Sequence, residues 1–77
     1  MQTADRYCQL HLTSCNVANK RLKERYPGAS VADFANKEKL PLLESFWFFK
    51  GCPVELIIFQ DICKKLDMDW MEAREKE

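Results

Sequence analysis

Residues 29–51, ASVADFANKEKLPLLESFWFFKG, decide the fold. Ser30 is a helix N-cap type, and Asp33 three residues later completes a capping box, so a short helix begins here with Phe34 and Ala35 turned inward. The polar break Asn36–Lys39 ends it. Pro41 suits a first helical turn, and residues 41–49 make a second helix that stops at Lys50-Gly51. Two short helices joined by a tight polar turn leave little room for any other reading.

Working outward, Pro53 is expected to open a further helix, with Val54, Ile58, Phe59, Ile62, Cys63 and Leu66 along one stripe. Asp69 followed by Glu72 reads as a capping pair for a last short helix containing Trp70, Met71 and Ala73, its tail fraying into Arg74–Glu77. Upstream, Ser14 is the expected N-cap of a first helix. Val17, Ala18, Leu22 and Tyr26 fall on or near one face, and Pro27-Gly28 stops it. Residues 1–13 are ambiguous. Cys8, Leu10 and Leu12 alternate with polar residues as in a strand, yet Tyr7 with Leu10 and Cys8 with Leu12 also fit helical spacing. The expectation is an all-α domain of four or five short helices over residues 14–77, with residues 1–13 as an arm packed on its core. That core should include Phe34, Leu40, Phe49, Phe59, Ile62, Leu66 and Trp70.

Composition narrows the function. The 77 residues allow one modest core, and an apolar share of 47% with 12% aromatics argues against disorder. Twelve basic and twelve acidic residues balance, but residues 1–28 carry five basic groups against two acidic ones. The excess sits in Lys20, Arg21, Lys23 and Arg25. Overall neutrality speaks against a dedicated nucleic-acid binder, whose affinity comes largely from counterion release. The start, MQTADRYCQL, has neither a basic leader nor an apolar stretch, and no apolar run spans a bilayer, so a cytoplasmic protein is expected. No phosphate loop, catalytic carboxylate pair or nucleophile motif is present, so neither an enzyme nor a cofactor is expected.

Cys8, Cys15, Cys52 and Cys63 form no Cys-x-x-Cys pair. Cys8, His11 and Cys15 have the spacing of one helix face, and Cys52 would complete a zinc set. Structural zinc sites normally use paired short spacings, however, so four reduced thiols without metal are expected instead.

The 29–51 unit resembles the helix-turn-helix of phage-repressor-type DNA-binding domains. Phe34-Ala35 stands at the apolar-small step of the first helix, Leu40 closes the turn, Phe48-Phe49 lies at the inward end of the second helix, and Gly51 ends the unit. The following segment is similar to a small helix-turn-helix module at the N-termini of cyanobacterial signalling proteins with nucleotide-switch domains. Phe48, Phe49, Gly51, Pro53, Val54, Phe59, Ile62, Cys63, Leu66, Asp69 and Trp70 carry that likeness, which covers about residues 15–72. It implies a repressor-like fold whose second helix of the unit reads base edges.

Here the residues depart from the pattern. Base reading needs polar side chains in the major groove, but the outward positions are Leu42, Leu43, Glu44, Phe46 and Trp47. Lys39 replaces the usual glycine of the turn, and Ser45 takes a normally apolar inward position. The scaffold is kept and the reading head replaced. The expected role is a non-enzymatic interaction or regulatory module that docks through Leu42, Leu43, Phe46 and Trp47 onto a partner protein or a second copy, without membrane or small-molecule substrate. The alternative is a helix-turn-helix DNA-binding regulator touching phosphates through Lys20, Arg21, Lys23 and Arg25.

Overall fold

A computed structural model describes residues 7–75. It is all-α apart from one minimal antiparallel pair. The elements run β1 (Tyr7–Cys8), α1 (Leu12–Arg25), α2 (Val31–Glu38), α3 (Leu42–Lys50), β2 (Val54–Glu55), α4 (Leu56–Lys65) and α5 (Trp70–Ala73). The expected arm residues before Tyr7, and Lys76–Glu77 of the expected frayed tail, lie outside the described residues.

Helix α2 forms as its local chemistry dictates. The Asp33 N–H donates to Ser30 Oγ and the Ser30 N–H to the Asp33 carboxylate, each at 3.1 Å, closing the capping box. Its other end turns through Lys39, which sits at φ +59° in the left-handed region while Leu40 N–H reaches back to Ala35 C=O at 2.8 Å. A lysine there costs about 1 kcal/mol relative to a right-handed conformation, a strain glycine would avoid. Helix α3 ends in the same manner at Gly51, φ +83°, where Cys52 N–H bonds to Trp47 C=O at 2.9 Å.

Two helix starts differ from the sequence expectation. Ser14 is not the cap of α1. The helix begins at Leu12, and His11 caps it, its Nδ1 accepting from Thr13 N–H at 3.2 Å. The reason is non-local: His11 N–H donates to Ala73 C=O at 2.8 Å, which fixes where the extended segment ends and the helix begins. Nor does Pro53 open α4. Val54 and Glu55 are extended, pairing with Cys8 and Tyr7, and α4 starts at Leu56. Asp69 does cap α5, through Met71 N–H at 3.1 Å.

The segment Tyr7–His11 is therefore part of the domain rather than an appendage. Tyr7 and Cys8 pair with β2, Leu10 bridges to Arg74, and Gln9 C=O accepts from Glu75 N–H at 2.7 Å. Leu10 is buried beside Val54 and Ala73, so the arm closes the start of α4 against the end of α5.

Inside, an aromatic chain crosses the elements. Tyr26 meets Phe34 at 5.0 Å between ring centroids, Phe34 meets Phe49 at 5.8 Å, Phe49 meets Phe48 at 5.1 Å, and Phe48 meets Phe59 at 5.2 Å. The first three pairs are edge-to-face, the arrangement favoured by the ring quadrupole, and Phe48 and Phe59 are tilted at 60°. Phe34, Phe49, Phe59, Ile62 and Leu66 are buried as expected, whereas Leu40 and Trp70 are half-buried against them. Val17, expected on or near the inner face of α1, is exposed. Ala18 and Leu22 are the buried residues of that helix, because the segment carrying Leu10 meets its start and sets its rotation.

A candidate docking face on helix three

The nine residues of α3 divide cleanly. Ser45, Phe48 and Phe49 are buried, the last two within the aromatic chain. Ser45 is the unexpected member of that inner face. Its hydroxyl donates to Pro41 C=O at 2.7 Å, one turn back, so the polar group is satisfied without leaving the helix. With the inner face fixed, helical geometry sends positions 43, 46 and 47 the other way, while Leu42, on the side of Ser45, is left open at the start of the helix. Leu42 is 51% exposed, Leu43 56%, Phe46 38% and Trp47 41%. All four predicted interface residues are therefore open to solvent, and Glu44 lies half-buried at their edge.

The face continues toward α2. Between the two helices a groove of about 360 Å³ is lined by Ala32, Asp33, Ala35, Asn36, Leu40 and Leu42. Elsewhere Ile57, on α4, is 75% exposed. It is offset from the Phe59–Ile62–Leu66 stripe, which turns it outward.

The basic run behaves differently from a row of phosphate contacts. Arg21 Nη1 donates to the carbonyls of Leu66 at 3.1 Å and Asp67 at 2.6 Å, tying α1 to the end of α4. These carbonyls close a helix whose last groups have no partners within it, and Asp67 itself is at φ +59°. Arg25 pairs with the Asp67 carboxylate at 3.8 Å on the surface. Lys20 and Lys23 remain exposed. One of the four candidate phosphate contacts, Arg21, thus serves the fold, while the exposed Arg25 pair adds little to it. Replacing Arg21 with Ala is expected to lower the unfolding free energy by about 1–2 kcal/mol, the value of charged hydrogen bonds discounted for partial exposure. Urea denaturation measures it, and Arg21→Lys should recover only part, since an ammonium lacks the guanidinium fork.

All four cysteines are free thiols. Burial pushes the Cys63 thiol up to about 12, with smaller contributions from Cys8 and Asp69, which leaves it protonated and inert. Burial also raises Cys15, followed by the neighbouring Cys52. His11 Nδ1 lies 2.9 Å from Thr13 Oγ1 within its own cap. Among the described residues no three His, Cys, Asp or Glu side chains come together as a metal site, so the Cys8, His11, Cys15 and Cys52 set does not converge. Among the same residues no helix is long and apolar enough to cross a membrane.

Compared with known proteins, the chain matches no family model, no curated protein and no solved structure.

Proposed function

We propose that this chain is a non-enzymatic interaction module of helix-turn-helix, repressor-like build, acting in the cytoplasm, in which α3 docks onto protein instead of reading DNA. The observation that carries this reading is the joint exposure of Leu42, Leu43, Phe46 and Trp47 on α3. Contiguous apolar patches are uncommon on soluble monomers unless something covers them, and Trp and Phe are frequent anchors where they are covered. Side chains of this kind make no bidentate hydrogen bonds to base edges. The engagement of Arg21 with the end of α4 further weakens the DNA-binding alternative, leaving Lys20, Lys23 and Arg25 as the exposed cations of that run.

Sedimentation velocity over a concentration series tests the reading. Association through α3 should persist as salt rises, because apolar burial is little affected by screening. Trp47→Ala should weaken it about 10- to 100-fold, the range of an interface anchor. Lys20→Ala with Lys23→Ala should leave it unchanged. A protein that stays monomeric, binds one duplex tightly at physiological salt and loses that binding in the double lysine variant is a DNA-binding regulator, and the docking reading is then wrong.

A further inference from the structure

The turn after α3 brings Cys15, distant in sequence, against Gly51, the residue just before Cys52. Gly51 has no side chain, and a Cβ built there would stand 3.0 Å from the sulfur of Cys15. Adding one carbon–carbon bond of about 1.5 Å puts that sulfur within about 4.5 Å of the Gly51 Cα. Cys52 is the next residue along, its backbone pinned by the bond from its N–H to Trp47 C=O at 2.9 Å. It is exposed, whereas Cys15 is half-buried beneath the turn. The influence of Cys52 on the Cys15 thiol is the electrostatic trace of the same proximity. The other two thiols are placed differently, Cys63 being sealed in the core and Cys8 half-buried on β1.

We propose that Cys15 and Cys52 are a redox modification site, closing a reversible disulfide that staples α1 to the C-terminal turn of α3. The inference is independent of what docks on α3. The oxidant class is a small-molecule disulfide such as oxidised glutathione. The Cys52 thiolate, the accessible one, attacks a sulfur of that disulfide, breaking its S–S bond and releasing one glutathione thiolate. Cys15 then gives its proton to solvent and attacks the Cys52 sulfur, and the second glutathione leaves as a thiolate. Two protein thiols are oxidised and one small disulfide is reduced to two thiols. Burial raises the Cys15 thiol, so its thiolate share, and with it the rate of closure, should grow as pH rises. A disulfide needs Cα atoms no more than about 7 Å apart, and the Cys15 sulfur beside Gly51 leaves Cys52, one residue on, as the cysteine next to it along the chain.

The test incubates the native chain with oxidised glutathione, blocks free thiols with a maleimide, and maps cysteine connectivity by mass spectrometry. A monomer lighter by two hydrogens is expected, with Cys15 linked to Cys52 and with Cys8 and Cys63 as thiols. Its thermal midpoint should rise by several degrees on closure and return when a reductant is added. In Cys15→Ser the glutathione should remain on Cys52, since the resolving thiol is gone. The proposal is overturned if glutathione persists on Cys52 of the unaltered chain. A Cys52-to-Cys52 dimer, a link through Cys8 or Cys63, or no oxidation at all also overturns it.

Discussion

Phe59→Ala should lower the unfolding free energy by about 3–5 kcal/mol, the range for emptying an aromatic site in a packed core. Phe59 has no exposed surface and forms the α4 end of the chain of rings that runs through Phe48, Phe49 and Phe34 to Tyr26. Its removal takes away both the apolar burial and the ring contact to Phe48. The cavity left between α3 and α4 has fixed walls on both sides. A chain of 77 residues has a total stability of roughly 4–12 kcal/mol at typical values per residue, so the variant stands at the edge of folding. Urea denaturation followed by far-UV circular dichroism reads the loss directly. Phe59→Leu, which refills most of the space, should cost clearly less. A loss below about 1 kcal/mol for the alanine variant would mean that the aromatic chain does not close the core.

The part of this architecture visible in the sequence is the part encoded over three or four residues. Ser30 and Asp33 form a capping box because both halves lie within one helical turn, and the structure contains both hydrogen bonds. Gly51 ends α3 for an equally local reason, a positive φ that glycine adopts without strain. The arm was legible only by half. Its alternation of Cys8 and Leu10 with polar neighbours is that of a strand, and Leu10 is indeed buried, but the partners that make it a strand lie at Val54–Glu55 and Arg74. Without them helix and strand spacing tie. Pro53 misleads for the same reason. Proline suits the first turn of a helix and also the residue ahead of a strand, and the pairing of Val54 with Cys8 selects the second.

At the candidate docking face, the direction of α3 followed from its punctuation and from the inward pair Phe48-Phe49. The inward place of Ser45 needed the bond to Pro41 C=O to become intelligible. The basic run was the harder case. Arg21 and Arg25 are one turn apart and so share a side of α1, a spacing that could have separated them from Lys20 and Lys23. Their partners, the carbonyls of Leu66 and Asp67 and the Asp67 carboxylate, come from the far end of the chain. Nothing near Arg21 in the sequence announces them.

The arm supplies the second large effect. Leu10→Ala should cost about 2–5 kcal/mol, whereas Leu12→Ala, two residues away, should stay within about 0.5 kcal/mol of the unaltered chain. The contrast rests on burial: Leu10 is 2% exposed within the core cluster, and Leu12 is 79% exposed at the first turn of α1. Composition alone would rank the two leucines equally. Leu10 also lies at the middle of the clasp. Its neighbours Gln9 and His11 exchange hydrogen bonds with Glu75 and Ala73 at 2.7 and 2.8 Å, and two residues before it Cys8 pairs with Val54. Loosening Leu10 should therefore open both pairings, and amide hydrogen exchange should quicken at His11 and Glu75 before it does in α4. Chemical denaturation of the two variants side by side measures the difference. Equal losses, or unchanged exchange at His11 and Glu75 in Leu10→Ala, would show that the segment before α1 rests on the domain without holding it closed.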